Sequence, residues 1–460
     1  MTVLGGPEEA LLQEDAAGVT PEAGPGLRGF LRSRMGRLAG DTVWATSVEV
    51  LTLASSIVVM YVITTRLGPA DYGYFVGVQA LVATLGMLSY ASVTQVVMQS
   101  IVRDREEPSA AFSRSLGLLC GGTTLTLALG LGLRPLLFPQ LPVAVFAPLL
   151  VAELVGSGVV ALAASYLQAL DSYRRSVAIR LVHLVLRSLA VLLLALVGSL
   201  SLASVAWCYC LLGLGAGGAV LLQLWQRDGL SVRVARPTGR EMRDSLSFAA
   251  ALLSFSVHED ADKILMVRLA DPVAAGMYAA AYRAVQVAVS PLRALVAASH
   301  RRFLEHDPDR AGQHLERALL YTRFSAAYGA VAALAVFLAA PLIPELLGHS
   351  YAGSVTMVRW LAALAMLRGI GVFAFNGLMG LRCHGQRLLA VGTGALVAAV
   401  VSGLLIPVWS WRGAAVGTLV AESVFLTLCW VTLVRQQRRH DATVRARSTG
   451  AGADRALIAT

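Results

Sequence analysis

The sequence predicts an all-α integral membrane protein with about twelve transmembrane helices in two parallel six-helix bundles. Apolar residues make up 56% of the 460 residues and charged residues only 14%, whereas average soluble domains are about 25% charged. The apolar residues fall in blocks of about 20 or more, long enough to cross the roughly 30 Å hydrocarbon core of a bilayer as helices. Arginines concentrate in alternate loops, as the positive-inside rule requires.

The first segment, residues 1–40, is predicted to be a cytoplasmic tail. It is acidic at its start, rich in Gly and Pro, and lacks the apolar stretch of a signal peptide. Its second half interleaves arginines with apolar residues, which is typical of a basic helix that lies on a membrane surface and anchors the topology.

Twelve spans follow in two groups of six. We predict an N-terminal bundle at 41–224, a cytoplasmic linker at 225–244, a C-terminal bundle at 245–434 and a basic cytoplasmic tail at 435–460. The predicted spans are 43–65, 73–97, 113–133, 143–166, 176–197, 200–224, 245–267, 275–298, 318–340, 354–379, 388–407 and 413–434.

Loop charges indicate an even number of spans with both termini in the cytoplasm. The predicted outer loops carry only Arg66, Arg134, Arg268 and Arg412. The predicted inner loops carry Arg103, Arg105, Arg174, Arg175, Arg227, Arg233, Arg236, Arg240, Arg243, Arg301, Arg302, Arg310, Arg382 and Arg387. The net charge of +10 therefore reflects membrane topology rather than nucleic-acid binding.

A weak internal repeat relates the two halves. The turn at 66–73, after the first span, resembles the turn at 268–276, after the seventh, and 202–205 opens span six as 413–416 opens span twelve. An even number of spans per repeat preserves orientation, so the halves are predicted to be parallel repeats. Alternating access through a central cavity is the expected mechanism.

Catalytic and metal-binding patterns are missing from the sequence. It has no Walker motif and no metal-ligand spacing, and the five cysteines form no disulfide or zinc pattern. We therefore expect no cofactor, no metal and no enzyme activity. A membrane-embedded glycan polymerase or ligase is the alternative from another class, but such enzymes typically carry a large outer loop and every predicted outer loop here is short.

Span seven is interrupted by a cluster of ionisable residues, His258, Glu259, Asp260, Asp262 and Lys263. Such residues are costly at bilayer depth and mark an interior pathway or binding site. Glu259 with Lys263, and His258 with Asp262, are predicted to pair at i,i+4, which leaves Asp260 without a partner. The three carboxylates and His258 are candidate ion-coupling residues, since they can exchange a proton or hold a cation.

Several motifs resemble those of the polysaccharide (O-antigen-type) flippases, members of the multidrug/oligosaccharidyl-lipid/polysaccharide (MOP) exporter superfamily. Leu67–Gly73 resembles the turn of the family's first hairpin. The seventh–eighth hairpin of the family is similar to Asp262–Leu265 followed by Gly276–Tyr278 and Ala281–Arg283. Leu347–Ala352 resembles the loop before its tenth span. The resemblance covers about residues 43–434.

The resemblance implies two bundles in a V around a cationic cavity, in a bacterial cytoplasmic membrane. The implied activity moves polyprenyl-diphosphate-linked oligosaccharides from the cytoplasmic to the outer leaflet, with polysaccharide polymerases and glycosyltransferases as partners. Lipid II flippases usually have two further spans, so the implied glycan is not the wall precursor. A multidrug/cation antiporter of the same superfamily is the alternative, and it requires an acidic cavity.

Four cations in the spans are candidates for binding the diphosphate: Arg187, Lys263, Arg283 and Arg368. A guanidinium binds phosphate oxygens bidentately, whereas an ammonium acts as a point charge. Lys263 lies roughly 8 Å and Arg283 roughly 10 Å from the outer ends of their spans, so the two are expected to share one site.

Neutral polar side chains within the spans are candidates for contacting the glycan. Amides can bind sugar hydroxyls, and Gln79, Gln95 and Asn376 are the residues proposed for this role. The alternative is that each provides a hydrogen bond between helices.

Overall fold

The protein is described by a computed structural model that covers residues 27–304, 312–381 and 383–458, with side chains for most residues between 51 and 442. These residues form helices and no strands. The chain divides into two units, 1–47 and 48–460. Of the first unit only the helical backbone from Leu27 onward is described, so most of the predicted tail lies outside the described residues.

Twelve long helices, labelled α1 to α12 in chain order, account for most of the described residues. The first six are α1 (27–67), α2 (69–103), α3 (Pro108–Leu137), α4 (Val143–Ala169), α5 (Tyr173–Leu196) and α6 (Leu202–Asp228). The second six are α7 (Gly239–Leu269), α8 (Pro272–Leu304), α9 (Gln313–Ala339), α10 (Ser354–Gly380), α11 (His384–Trp409) and α12 (Trp411–Ile458). A short helix, Leu342–Leu347, precedes α10.

The turn between α1 and α2 is made by Gly68 and Pro69. Gly68 has φ 80° and ψ −179°, a backbone conformation that a residue with a Cβ rarely adopts. Pro69 holds the residue before it in extended geometry and cannot donate to the preceding helix. The helical stretch Leu27–Gly86 therefore breaks at this point into two spans.

Nine segments of the described chain are long and apolar enough to cross a membrane. One of them, Leu51–Arg103, contains both α1 and α2, so the nine segments hold ten of the helices. The other two, α7 and α8, do not meet these criteria of length and composition. These two helices carry the ionisable cluster and Arg283. Ionisable residues within a membrane protein are expected to face its interior, which accounts for the lower hydropathy of α7 and α8.

Helix packing confirms the parallel repeat. In the first half, α4 packs against α2 and α6; in the second half, α10 packs against α8 and α12. The same neighbours thus recur six helices later. The chain is an all-α membrane protein of two parallel six-helix bundles, as the sequence predicts.

The connection between the bundles is shorter than the predicted linker. Helix α6 continues to Asp228, and Gly229 ends it in the left-handed conformation with φ 62°. Helix α7 begins at Gly239, where Thr238 and Glu241 form a capping box. Only 229–238 lies between the two helices.

Close backbone contact joins the bundles at the end where the α1–α2 and α7–α8 turns lie, the predicted outer end. A Cβ on Gly73 would lie 2.0 Å from the carbonyl oxygen of Pro272. A Cβ on Gly276 would lie 1.9 Å from the carbonyl oxygen of Pro69. A glycine of each bundle thus packs against the turn of the other bundle. The two contacts are equivalent under the repeat that relates the halves.

Hydrogen bonds join the bundles at the opposite, predicted inner end, where α7 packs against α2 and α3. The Ser92 and Ser245 hydroxyls are 3.1 Å apart, and Gln99 Nε2 donates to Asp244 at 3.1 Å. Two ion pairs also cross, Arg240 to Asp104 at 3.0 Å and Arg114 to Glu241 at 2.8 Å.

Candidate functional site

A cavity of about 370 Å³ lies between the two bundles and is lined by side chains from both. The N-terminal bundle contributes residues of α1, α2, α4, α5 and α6, and the C-terminal bundle contributes residues of α7 and α8. The charged residues of the lining are Glu153, Arg187, Asp260, Lys263 and Arg283. Three cations against two carboxylates leave the lining with one formal positive charge.

Arg187 reaches the cavity from α5 and is held on two sides. Its guanidinium pairs with Glu153 of α4 at 2.5 Å and lies over the Tyr209 ring, 4.1 Å from the ring centroid. Gln79 also lines the cavity, and its Nε2 donates to Glu153 at 3.5 Å. A buried ion pair with an aromatic wall fixes the orientation of the guanidinium.

Lys263 reaches the cavity from α7. Its ammonium group donates to the backbone carbonyl of Glu259 at 2.5 Å and to Asp260 Oδ1 at 2.9 Å. It also lies over the Tyr282 ring, 3.8 Å from the centroid. Asp262 Oδ1 lies 3.5 Å away, so three oxygen atoms and a ring face already surround this cation.

Arg283 differs from the other two cations. It donates to Gln286 Oε1, 2.9 Å away on the same helix. Within the described part of the chain, no carboxylate lies within ion-pairing distance of Arg283. A guanidinium without an anionic partner, inside a cavity, is available to an anionic ligand.

Arg368 does not line this cavity. It donates to Glu259 Oε1 at 2.8 Å and to the Tyr282 hydroxyl at 2.9 Å, and it lies 3.6 Å from Glu422 Oε2. Glu422 is shared with His258, whose Nε2 is 3.5 Å away. Arg368 is therefore part of a buried network inside the C-terminal bundle.

Asp262 is the most enclosed carboxylate of this network, with 4% of its surface exposed. It accepts hydrogen bonds from the Tyr278 hydroxyl at 2.7 Å and the Thr418 hydroxyl at 2.8 Å. The backbone N–H of Lys263 donates to it at 2.8 Å. These donors stabilise a charge that burial alone would penalise.

The predicted pairing along α7 is therefore wrong. Asp260, expected to lack a partner, pairs with Lys263, while the Glu259 side chain turns to Arg368. Asp262 and His258 find their partners on α8 and α12. Partners on packed neighbouring helices are buried, so they compete better for these groups than a residue four positions along the same helix.

Charges in the C-terminal network are unevenly balanced. The carboxylates are Glu259, Asp260, Asp262 and Glu422, whereas the permanent cations are Lys263 and Arg368. His258 adds an imidazole to the network through its contact with Glu422. Four carboxylates against two permanent cations leave an acidic surplus beside the cavity.

The three candidates for contacting a glycan are separated by the fold. Gln79 lines the cavity, whereas Gln95 is exposed and Asn376 is buried with its Nδ2 donating to the carbonyl of Val372 on its own helix, 3.1 Å away. The cavity therefore brings together Gln79, Arg187, Lys263 and Arg283, and leaves Gln95, Asn376 and Arg368 elsewhere.

No group of three or more His, Cys, Asp or Glu side chains suited to a metal ion occurs among the described residues. The five cysteines are free. The site is defined by ion pairs, hydroxyls and aromatic rings.

Sequence reasoning missed the tyrosines and the threonine that hold the charged groups. Tyr209 lies under Arg187, Tyr282 lies between Lys263 and Arg368, and Thr418 donates to Asp262. A signal existed for Tyr282, which directly precedes Arg283 on a hairpin with an ionisable partner. Tyr209 and Thr418 come from distant spans, and no sequence pattern connects them to the cluster.

Two six-helix bundles around a charged interior cavity are a fold that is also found in solved structures of membrane transporters. Solved structures with this fold include an inward-facing multidrug resistance MATE family transporter of the MOP superfamily, with a TM-score of 0.68 and 14% identity over 85% of this chain and 96% of the other. The outward-facing conformation of such a transporter gives a TM-score of 0.56 and 16% identity over 88% and 96%.

A MOP superfamily transporter from Pyrococcus furiosus, described as having a binding pocket of reverse polarity, gives a TM-score of 0.53 and 14% identity over 86% of this chain and 96% of the other. A search of curated protein sequences finds no match. The polysaccharide biosynthesis protein family matches residues 38–299, more than half of the chain. The chain belongs to this family.

Proposed function

We propose that this protein flips a polyprenyl-diphosphate-linked oligosaccharide from the cytoplasmic to the outer leaflet by alternating access. The observation that carries the proposal is Arg283, a guanidinium in the cavity between the bundles with no carboxylate partner among the described residues. Membership of a polysaccharide biosynthesis family supports a glycan as the cargo.

The other two cations of the cavity have a different role in this proposal. Arg187 and Lys263 are each paired with a carboxylate. They contribute to the electrostatic potential of the cavity, and each keeps its carboxylate partner when the cargo leaves. A carrier must release its cargo as well as bind it, and a single unpaired cation gives a lower barrier to release than three. Gln79 is the candidate for a sugar hydroxyl.

The proposed cargo is made on one membrane face and consumed on the other. We therefore expect glycosyltransferases that assemble the oligosaccharide, and a polymerase that extends it, as functional partners. The bacterial cytoplasmic membrane, with both chain termini in the cytoplasm, is the proposed location.

The test uses the full chain reconstituted into vesicles with a fluorescent polyprenyl-diphosphate disaccharide. Transfer between leaflets is followed by quenching of the outer-facing dye. Arg283→Gln should slow transfer about tenfold or more, since a hydrogen bond to a charged group contributes about 1.5–3 kcal/mol.

Arg66→Gln is the matched control because Arg66 is exposed at the end of α1 and does not line the cavity. The transfer rate of this variant should stay within about twofold of the parent's rate. Loss of a hydrogen bond to a charged group would change the rate by more than that. Unchanged transfer by folded Arg283→Gln would refute the proposed role of the cavity.

A multidrug/cation antiporter is the second candidate, and the acidic surplus of the C-terminal network favours it. Coupling of an ion through His258, Glu259, Asp260 or Asp262 stays a prediction. The same vesicles, loaded with ethidium under a proton or sodium gradient, separate the two functions. Gradient-driven ethidium transport without transfer of the lipid-linked disaccharide would establish the antiporter instead.

A further inference from the structure

A second cavity, of about 450 Å³, is lined entirely by the N-terminal bundle. Its residues come from α1, α2, α4 and α5. It shares Leu184 and Arg187 with the cavity between the bundles, so the two spaces adjoin at α5. No role has yet been assigned to it.

The second cavity is cationic. Arg180 and Arg187 both line it, and none of the described residues in its lining is a carboxylate. The two arginines are seven residues apart, which places them on one face of α5 about two turns, or 10 Å, from one another. Arg180 donates to the Ser165 hydroxyl at 3.3 Å and has no carboxylate within ion-pairing distance in the described part of the chain.

His183 lies between the two arginines on the same face and gives an independent indication of a ligand. Its side chain is buried, with 9% of the residue exposed. Nε2 is 3.1 Å from the Ser157 hydroxyl, but Nδ1 is buried without a hydrogen-bond partner among the described atoms. The imidazole of a residue that lines the cavity thus has unused hydrogen-bonding capacity.

Hydroxyl groups complete the lining. Tyr90, Thr94 and Ser157 contribute side chains to the same cavity, beside Arg180 and His183. Arg180, which has no carboxylate partner among the described residues, suits the oxygens of a phosphate group together with these neutral hydroxyls. The rest of the lining is apolar and includes Val160 and Leu181. It suits a hydrocarbon chain attached to the phosphate group.

We propose that this second cavity binds the phosphate head group of a lipid, with Arg180 as its principal contact and His183 as the second. Two lipids share this chemistry, the transported polyprenyl diphosphate and a bilayer phospholipid. If the proposed function holds, the site is a waiting position from which the diphosphate passes along α5 to Arg187 and then to Arg283.

The experiment counts bound lipid by native mass spectrometry of the purified full chain in detergent. Geranylgeranyl diphosphate, which carries a diphosphate but no glycan, is the first probe, and phosphatidylglycerol is the second. The parent protein should bind two molecules of the diphosphate. Arg180→Gln and Arg283→Gln should each bind one, and the double variant none.

The control variant is Arg174→Gln, since Arg174 is exposed on the same helix and does not line the cavity. It should bind as the parent does. Arg180→Lys, which keeps the charge, should retain the second molecule with affinity reduced about three- to tenfold, because the bidentate geometry is lost. The thermal unfolding midpoint shows that each variant is folded.

Outcomes separate the two proposals. If Arg180→Gln loses one molecule and Arg283→Gln loses none, the second site stands and the proposed role of Arg283 fails. If Arg180→Gln binds less phosphatidylglycerol than the parent but the same amount of the diphosphate, the site stands and its ligand is a bilayer lipid. If Arg180→Gln binds both probes as the parent does, the second site is refuted.

Discussion

Single charged residues in this protein depend on the partners that the fold supplies. Arg368 is 14% exposed at its side chain and contacts Glu259, Tyr282 and Glu422. Such a group stabilises the bundle only as long as its partners are present, because an unpaired buried charge is strongly unfavourable. Its contact with substrate stays a prediction, and the contacts that the structure shows lie inside the C-terminal bundle.

The first prediction at this scale concerns the Arg368–Glu259 pair. Arg368→Gln should destabilise the protein by about 3–5 kcal/mol, because it leaves the half-buried Glu259 and the buried Glu422 without this cation. The double variant Glu259→Gln/Arg368→Gln should recover part of that loss, since both charges are then removed. Thermal and denaturant unfolding in detergent measure the difference.

A matched control for this prediction lies on the same helix. Arg359 is exposed and lies over the Phe337 ring, 5.2 Å from the centroid. Arg359→Gln should change stability by about 1 kcal/mol or less. If the double variant is as unstable as Arg368→Gln alone, the unpaired carboxylate of Glu259 is not the cause of the destabilisation.

At the scale of elements, the two turns at the predicted outer end form a reciprocal contact. Gly73 packs against the carbonyl of Pro272, and Gly276 against the carbonyl of Pro69. Backbones approach this closely only where a side chain is absent. The motif noted in both halves of the sequence therefore forms the contact between the halves at this end.

Gly73→Ala is predicted to separate the bundles at this end. The new Cβ would lie 2.0 Å from a backbone oxygen, which cannot move aside as a flexible side chain can. Spin labels at Pro139→Cys and Val273→Cys, in a variant with the five native cysteines replaced by Ser, report the distance by double electron–electron resonance. We expect a longer mean distance in Gly73→Ala.

Gly132→Ala is the control for this measurement, because nothing lies within 4 Å of a Cβ at Gly132 on α3. Its distance distribution should match that of the parent. If Gly73→Ala leaves the distribution unchanged, the reciprocal contact does not hold the outer ends together.

At the scale of the whole transmembrane unit, contacts between the bundles occur at both ends. The glycine contact lies at one end, and the bonds of Ser92 to Ser245 and of Arg114 to Glu241 lie at the other. Alternating access requires each set to open in turn. Covalent closure of one end should therefore stop transport without unfolding the protein.

The corresponding prediction uses Ser92→Cys/Ser245→Cys in the same background. The parent hydroxyls are 3.1 Å apart, so paired thiols at these positions can form a disulfide with little movement. Oxidation should abolish transfer of the lipid-linked disaccharide, and a reducing agent should restore it. Either single-cysteine variant should be insensitive to oxidation, and full transport by the cross-linked protein would exclude separation of the bundles at this end.

The sequence predicts the spans and the first turn of this protein. Hydropathy and loop arginines predict the number and order of the spans, because each span must satisfy its own backbone and match the bilayer thickness. The turn at Gly68 and Pro69 follows from local backbone chemistry. The predicted domain boundaries stay predictions, although 229–238 is the stretch between α6 and α7.

Only the tertiary structure decided the partners of the charged groups. Lys263 and Arg283 were expected to share a site by depth alone, and both line one cavity. The partners of Arg368, Asp262 and Arg187 lie on helices far away in sequence. Helical periodicity places a side chain at a depth and on a face, but the neighbour that it meets depends on how helices pack, and that arrangement is stabilised by contacts distributed over the whole unit.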